Sequence, residues 1–495
     1  MARNGYVARP RLRGRPANPG RLPTMSLGSS RLLELRKLAR LAAPLALVHA
    51  GNQLMTLVDM AFVGRLGAVA LGGIGIANGI FFTVSTLGMG AMMGLDPLVS
   101  QAVGAGDPAR ARRWLWQGIW LALFVTIVLS IPIAIAPNFL VPFGIEEAVA
   151  REATTYLNIR LVGLYPMLVY VAVRAYLQAM GVTRPMFISV VAANLLNVAA
   201  DALLVFGGEI LPAWAGPLRS LPAFGVAGAA VATTLCTILQ LAIITSAVGS
   251  VEVPGFERGM RRWLRSDLLA ALKVGLPIGL QMAAEVSIFA LVGLLVGRMG
   301  AANLAAHQVS LTLASFTFTV AVGIGAAGSV RVGRAVGARD IAGVRAAGLT
   351  AIAAGGGWMA LSALVFLLAP KALAGLLTDQ AGVIEAAAPL LMIAAVFQLS
   401  DGLQAAGSGV LRGAGDTRFP FLANLFGYYV IALPLGLWLA WGMNLGAAGL
   451  WWGLCTGLTV VAIALIARFR RISSRPIAPL SPMAPAAAAG VAGEA

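Results

Sequence analysis

The chain has 495 residues, 59% of them apolar and only 11% charged, with a formal net charge of +17. Soluble domains carry about 25% charged residues, so a water-soluble enzyme or a basic nucleic-acid-binding domain does not fit this composition. Cys236 and Cys455 both lie in apolar stretches and offer neither a disulfide framework nor the spacing of a metal site.

The first 40 residues, RPRLRGRPANPGRLP among them, are rich in Arg and Pro and lack the apolar core of a signal peptide. They read as a disordered cytoplasmic tail, or as sequence upstream of a true start at Met25. Twelve apolar stretches follow, predicted as helices over 41–64, 73–97, 115–136, 154–179, 185–207, 225–249, 268–296, 303–327, 347–369, 384–411, 418–441 and 447–468. These lengths suit a helix that crosses ~30 Å of hydrocarbon at ~1.5 Å per residue. A transmembrane barrel would instead show alternating segments of ~10 residues. The expected fold class is an all-α polytopic membrane protein with twelve transmembrane helices. Residues 469–495 end in PIAPLSPMAPAAAAGVAGEA, a low-complexity stretch expected to be a disordered tail.

Basic residues fall in alternate loops. Arg110, Arg112, Arg113, Arg258, Arg261, Arg262 and Arg265 share a side with both basic tails, while the other side holds Arg65, Arg151, Arg219, Arg298 and Lys371. The asymmetry places both termini in the cytoplasm.

The two halves match each other in register. Pro44 aligns with Pro277, Val63-Gly64-Arg65 with Val296-Gly297-Arg298, and Gly67-Ala68 with Gly300-Ala301. Val103-Gly104-Ala105 with Asp107 aligns with Val336-Gly337-Ala338 with Asp340, and Gly181, Thr183 and Arg184 match Gly415, Thr417 and Arg418. Each half has an even number of helices, so the halves are parallel repeats about an axis along the membrane normal. The expected organisation is a first lobe over 41–250, a cytoplasmic linker over 251–267 and a second lobe over 268–468. A substrate path is expected at the interface of the lobes.

Four acidic residues interrupt the apolar stretches: Asp59, Asp201, Glu285 and Asp401. A carboxylate at membrane depth is costly and marks a place of function, where it meets protons, metal cations or cationic ligands. Asn197 and Asp201 are four apart on one helical face, and Asn194 joins that face. If Asp59 converges with them, two carboxylates and two amides make an oxygen-rich site for H+ or a small hard cation. Two carboxylates at close range also share a proton, because both do not ionise easily together. Glu285 and Asp401 form a second group. Asp96 reads as a helix-end feature and Arg174 as a structural group. Met282, Phe289, Phe397 and His307 are candidates to line a substrate cavity, although for His307 hydrogen-bonded packing is the favoured role. No P-loop is present, so ATP is not the energy source of this chain.

The segments VDMAFVGRLGAVALGGIGIAN, PLVSQAVGAGD, GLPIGLQMAAEVSIFALVGLLVGRMGAANLAAHQ and FQLSDGLQAAGSGVLRGAGDTRFP resemble the multidrug and toxic compound extrusion family, over residues 36 to 468. The resemblance implies two six-helix lobes forming a V around a central cavity. It also implies export of cationic amphiphilic compounds in exchange for H+ or Na+ by alternating access. It carries an ion-binding role onto Asp59, Asn197 and Asp201, and a cation-coupling role onto Glu285 and Asp401, so that Na+ is expected at either group if Na+ is the ion. The family often places a tyrosine one turn before the Asp401 position, where this chain has Phe397, and that departure favours H+.

The chain is therefore expected to be a monomeric, ion-coupled antiporter of the bacterial inner membrane. It is expected to need no cofactor beyond the coupling ion, and to meet cationic small molecules and membrane lipids but not nucleic acid. A lipid-linked precursor flippase of the same superfamily, a polytopic lipid transferase and a passive channel are the competing readings.

Overall fold

The computed structural model describes residues 27–210, 216 and 219–480. The expected tail over 1–26, the Met25 start and the stretch 481–495 lie outside the described residues.

Twelve long apolar helices dominate the described residues, and none of these residues lies in a β-strand. In chain order they are α1 (Leu27–Val63), α2 (Ala68–Gly104), α3 (Pro108–Leu140), α4 (Glu147–Met180), α5 (Arg184–Phe206) and α6 (Gly225–Gly249) in the first half. The second half holds α7 (Arg265–Gly297), α8 (Ala301–Gly337), α9 (Ile341–Leu368), α10 (Ala381–Gly413), α11 (Arg418–Gly442) and α12 (Gly446–Ile472). Twelve crossings bring the start of α1 and the end of α12 to one face of the bundle, called here the terminal face.

The repeated motifs are helix punctuation. Gly67 and Gly300 precede α2 and α8 with φ of 105° and 108°. Gly181 and Gly415 end α4 and α10 with φ of 80° and 89°. A side chain at these four positions would strain the backbone. The equivalent residues Asp107 and Asp340 are N-caps: each carboxylate accepts from the backbone N–H three residues on, Arg110 and Gly343, both at 2.8 Å. Capping and turn chemistry explain why these positions kept their identity in both repeats.

The boundaries differ from expectation at both ends. Residues 27–40, expected as disordered tail, form the first turns of α1. Their charges resemble a tail, but Leu38 is buried and Glu34 pairs with Arg331 of α8. Residues 469–472 likewise continue α12, and 473–480 run back across the terminal face. There the Leu480 N–H donates to Gln101 Oε1 of α2 at 2.8 Å, while Ile477 and Leu480 pack against the core. The linker expected over 251–267 contains a short 3-10 turn, Arg258–Arg261, and gives its last residues to α7.

Each half of the chain forms a lobe, and the two lobes form a V whose joint lies toward the terminal face. Small residues make the joint. Gly90 and Gly94 of α2 face Gly279 and Gly275 of α7, and Gly323 of α8 sits on Ala46 of α1. No Cβ fits at Gly90, Gly94 or Gly323 without displacing the facing backbone, so the helices touch main chain to main chain. Polar ties border the joint. Arg331 bonds the carboxylate and the carbonyl of Glu34, and Arg334 Nε donates to Ala179 O at 3.0 Å. Gln101 Nε2 donates to Gly413 O at 3.1 Å.

Candidate functional site

The sequence-marked acids form two separate groups, one in each lobe. In the first lobe, α5 presents Asn197 and Asp201 one turn apart toward Asp59, near the end of α1. Asn197 Nδ2 donates to Asp59 Oδ1 at 2.6 Å and to Asp201 Oδ2 at 3.0 Å. Thr233 Oγ1 of α6 donates to Asp59 Oδ2 at 3.0 Å. Asp59 is 5% exposed, and Asn197 and Asp201 are fully buried. Asn197 Oδ1 and Asp201 Oδ1 have no hydrogen-bond partner, so two buried oxygens remain to accept a proton or bind a cation. The set is oxygen-rich and compact, the chemistry suited to a hard ion.

Asn194 does not join this set. Its amide donates to Val190 O of its own helix at 2.8 Å. Asn194 lies level with Gly51, about two turns before Asp59 on α1, and its buried Oδ1 has no hydrogen-bond partner. Two neighbours carry no sequence expectation. Tyr156 donates to Asn78 Oδ1 at 3.1 Å and lies within electrostatic reach of Asp59. Arg160 sits 4.5 Å from the Phe81 ring centroid and interacts with Tyr156. Arg160 is legible as a basic residue inside the apolar run YLNIRLVGLYPML; Thr233 carries no such signal.

In the second lobe, Glu285 of α7 and Asp401 of α10 interact electrostatically and both line a cavity of about 420 Å³. Met282, Phe289 and Phe397 line the same cavity, together with Phe82 and Met93 of the first lobe. Gln404 organises the polar wall. Its Nε2 donates to Asn424 Oδ1 at 2.7 Å and to Tyr428 Oη at 2.8 Å, with Glu285 Oε2 at the longer distance of 3.5 Å. Tyr428 lies in a π-helical stretch of α11, Phe426–Ala432. Such wide turns recur at functional sites because they re-aim a side chain.

Phe397 packs edge-on against Phe289, with centroids 6.0 Å apart and planes at 88°, and it also meets Trp451 at 5.9 Å. His307 stands behind this aromatic wall and is not among the cavity-lining residues. It is 1% exposed, and its Nδ1 accepts from Trp451 Nε1 at 3.1 Å. A buried imidazole with an indole donor belongs to the packing of α8 against α12, so the candidate cavity role of His307 gives way to its packing role. Asp96 also departs from expectation. It lies just past the break at Gly94, about two turns before the end of α2, and is a buried partner of Arg412 of α10, at 3.6 Å across the joint between the lobes. Arg174, expected as structural, lines the cavity.

Buried carboxyl groups, an apolar cavity and two parallel helical repeats mark a membrane transporter. Comparison with known proteins gives the family. The MatE family model matches residues 44–203 and 277–438, both repeats. The multidrug resistance protein NorM of Burkholderia vietnamiensis is 36% identical over 440 residues, covering 87% of this chain and 92% of that protein. The probable multidrug resistance protein NorM of Burkholderia mallei is 37% identical over 445 residues, covering 88% of this chain and 92% of its own length. Among solved structures, MATE in complex with MaD3S superposes with a TM-score of 0.80 at 20% identity, over 91% of this chain and 98% of that one. This chain belongs to the MatE family. It is a multi-pass membrane transporter and not an enzyme.

Proposed function

We propose that the protein exports cationic amphiphilic compounds across a bacterial inner membrane in exchange for H+ or Na+, by alternating access. The observation that carries this reading is the Glu285–Asp401 pair, set in the wall of an aromatic and methionine-lined cavity. An acidic group in an apolar pocket attracts a lipophilic cation, and neutralising that group by a small ion removes the attraction. The ion and the compound then favour different conformations, and each shifts the equilibrium by its differential affinity. The NorM relatives, named for multidrug resistance, support the same reading.

The Asp59–Asn197–Asp201–Thr233 set is proposed as an ion site and the Glu285–Asp401 pair as the place where ion and compound compete. We propose H+ at the second pair, since Phe397 supplies no oxygen where a metal ion would require one. The terminal face is proposed to be cytoplasmic, because the arginine-rich loops lie there. A precursor flippase would be expected to show a predominantly basic cavity, whereas acids occupy the middle of this one.

Purified protein in vesicles with a fluorescent cation tests the proposal. An imposed H+ gradient is expected to drive efflux against the dye gradient, and an Na+ gradient alone is not. Asp59→Asn and Glu285→Gln are each expected to cut gradient-driven efflux at least tenfold with protein abundance unchanged. A tenfold fall in rate corresponds to about 1.4 kcal/mol in activation free energy. Dye movement that only equilibrates would make the protein a passive channel, and full activity in both variants would remove the acids from the mechanism.

A further inference from the structure

We propose that the cavity has a second charged subsite, made by Arg174 and Arg412, which binds an anionic group, so that its preferred ligands are aromatic zwitterions. This rests on the efflux reading above and extends it to the ligand's far end.

One face of α10 supplies the argument. Asp401, Gln404, Ala405, Ser408, Gly409 and Arg412 all line the cavity. Their spacing by threes and fours is that of one helical stripe. Eleven residues make about three turns, so Asp401 and Arg412 share a face roughly 16 Å apart along the axis. Helical side chains lean toward the helix N-terminus, which tilts Arg412 back toward the acids and shortens the gap a ligand must span. The stripe therefore runs from carboxylate through amide and hydroxyl to guanidinium. Phe82, Phe289, Phe318 and Phe397 line the same space and suit a flat aromatic body.

Charge is unbalanced at the basic end. Arg174 and Arg412 both act on the buried Asp96, and on each other. The Arg412–Asp96 contact, at 3.6 Å, is longer than a charge-assisted hydrogen bond. Arg174 Nε and Asp96 Oδ1 are buried without hydrogen-bond partners. Arginine stays protonated in proteins, and a buried charge calls for a counter-charge. Two guanidinium groups with one carboxylate leave one positive charge facing the cavity, with His49 as the neighbouring titratable group. A carboxylate on the ligand supplies the missing partner, while its amine meets Glu285 and Asp401.

Rhodamine B and its ethyl ester are a matched pair of probes, because esterification removes the carboxylate and leaves the aromatic cation. Their binding to the full-length protein in detergent is read by fluorescence anisotropy. Arg174→Gln and Arg412→Gln are each expected to weaken rhodamine B about tenfold while changing the ester less than about twofold. Asp96→Asn is expected to tighten rhodamine B, because a competing carboxylate is removed. Retained ester binding shows that a variant is folded, and Arg412→Lys, which keeps the charge, is expected to preserve part of the rhodamine B preference. Equal changes for both dyes in the Arg variants, or none, would overturn the anionic subsite. Glu285→Gln separates the two proposals: if it weakens neither dye while the Arg variants discriminate between them, the cationic end fails and the anionic subsite stands.

Discussion

Asp59 illustrates how much a single side chain can carry. Its two oxygens accept from Asn197 of α5 and Thr233 of α6, so one carboxylate ties three helices together at the outer end of the first lobe. The acids were legible in the sequence because a carboxylate among apolar residues is chemically anomalous. Their partners were not, because Thr, Gln, Asn and Tyr are ordinary hydrogen-bonding residues in membrane helices and gain meaning only from what they reach. Gln404 and Tyr428 are of this kind. His307 is the reverse case: a titratable side chain drew attention as a cavity candidate, and packing, the role favoured for it in the sequence, is the one its contacts support. Trp451→Phe is expected to cost about 1–3 kcal/mol, the penalty for leaving the buried His307 without its donor. The measurement is thermal unfolding in detergent, and dye binding in the cavity is expected to survive. An unchanged melting temperature would show that the pair contributes nothing.

Among elements, the contact of α2 with α7 decides how the lobes meet. Gly90 lies against Gly279 and Gly94 against Gly275, so these helices approach closely enough to exclude side chains. Gly90→Val is expected to pry the joint open. A cysteine placed at buried Ser100, which sits beside Gly333 of α8, reports this. Its maleimide labelling is expected to rise several-fold when Gly90→Val is added, and equal labelling would mean that the joint tolerates the bulk. The native Cys236 and Cys455 are both buried, which keeps the background low. The helices themselves were readable from run length and hydropathy. Their ends were less so: α1 and α12 continue past the apolar runs because Leu38 and Phe469 face inward while charged neighbours face out. Composition alone does not separate such amphipathic turns from a loose tail.

At the scale of the whole molecule, duplication supplied the frame and later divergence the chemistry. Asp59, Glu285 and Asp401 stand opposite Val292, Asn52 and Met167 in the other repeat, so the two lobes share helix punctuation and not function. The two lobes were therefore legible in the repeat and the V only through the family resemblance, whereas the ion pairs across the joint were not legible, since each links residues from different repeats. Arg331 with Glu34 is the pair nearest the chain's start, with side chains 12% and 21% exposed. Arg331→Gln removes the guanidinium and its bond to the Glu34 carbonyl, while Lys37 stays on the carboxylate at 3.0 Å, so the loss is roughly 1–2 kcal/mol for a pair that is largely but not fully buried. It is expected to lower the melting temperature and to raise Ser100→Cys labelling in parallel. A fall in stability with no gain in labelling would confine the pair to local packing.

The run from Ile472 to Leu480 crosses the terminal face: its Leu480 N–H donates to the Gln101 side chain of the opposite lobe, while the Leu480 side chain lies beside Gly415 and Ile477 shares a pocket with Val336 and Val344 of its own lobe. On the alternating-access reading proposed above, a rocking motion of the lobes would have to release that bond in every cycle, and its grip would form part of the energy gap between the two shapes of the molecule. On that reading a purification handle or reporter spliced into this stretch would land beside a moving joint, and a premature stop codon just after Ile472 is expected to change the transport rate while leaving every ligand-facing side chain untouched.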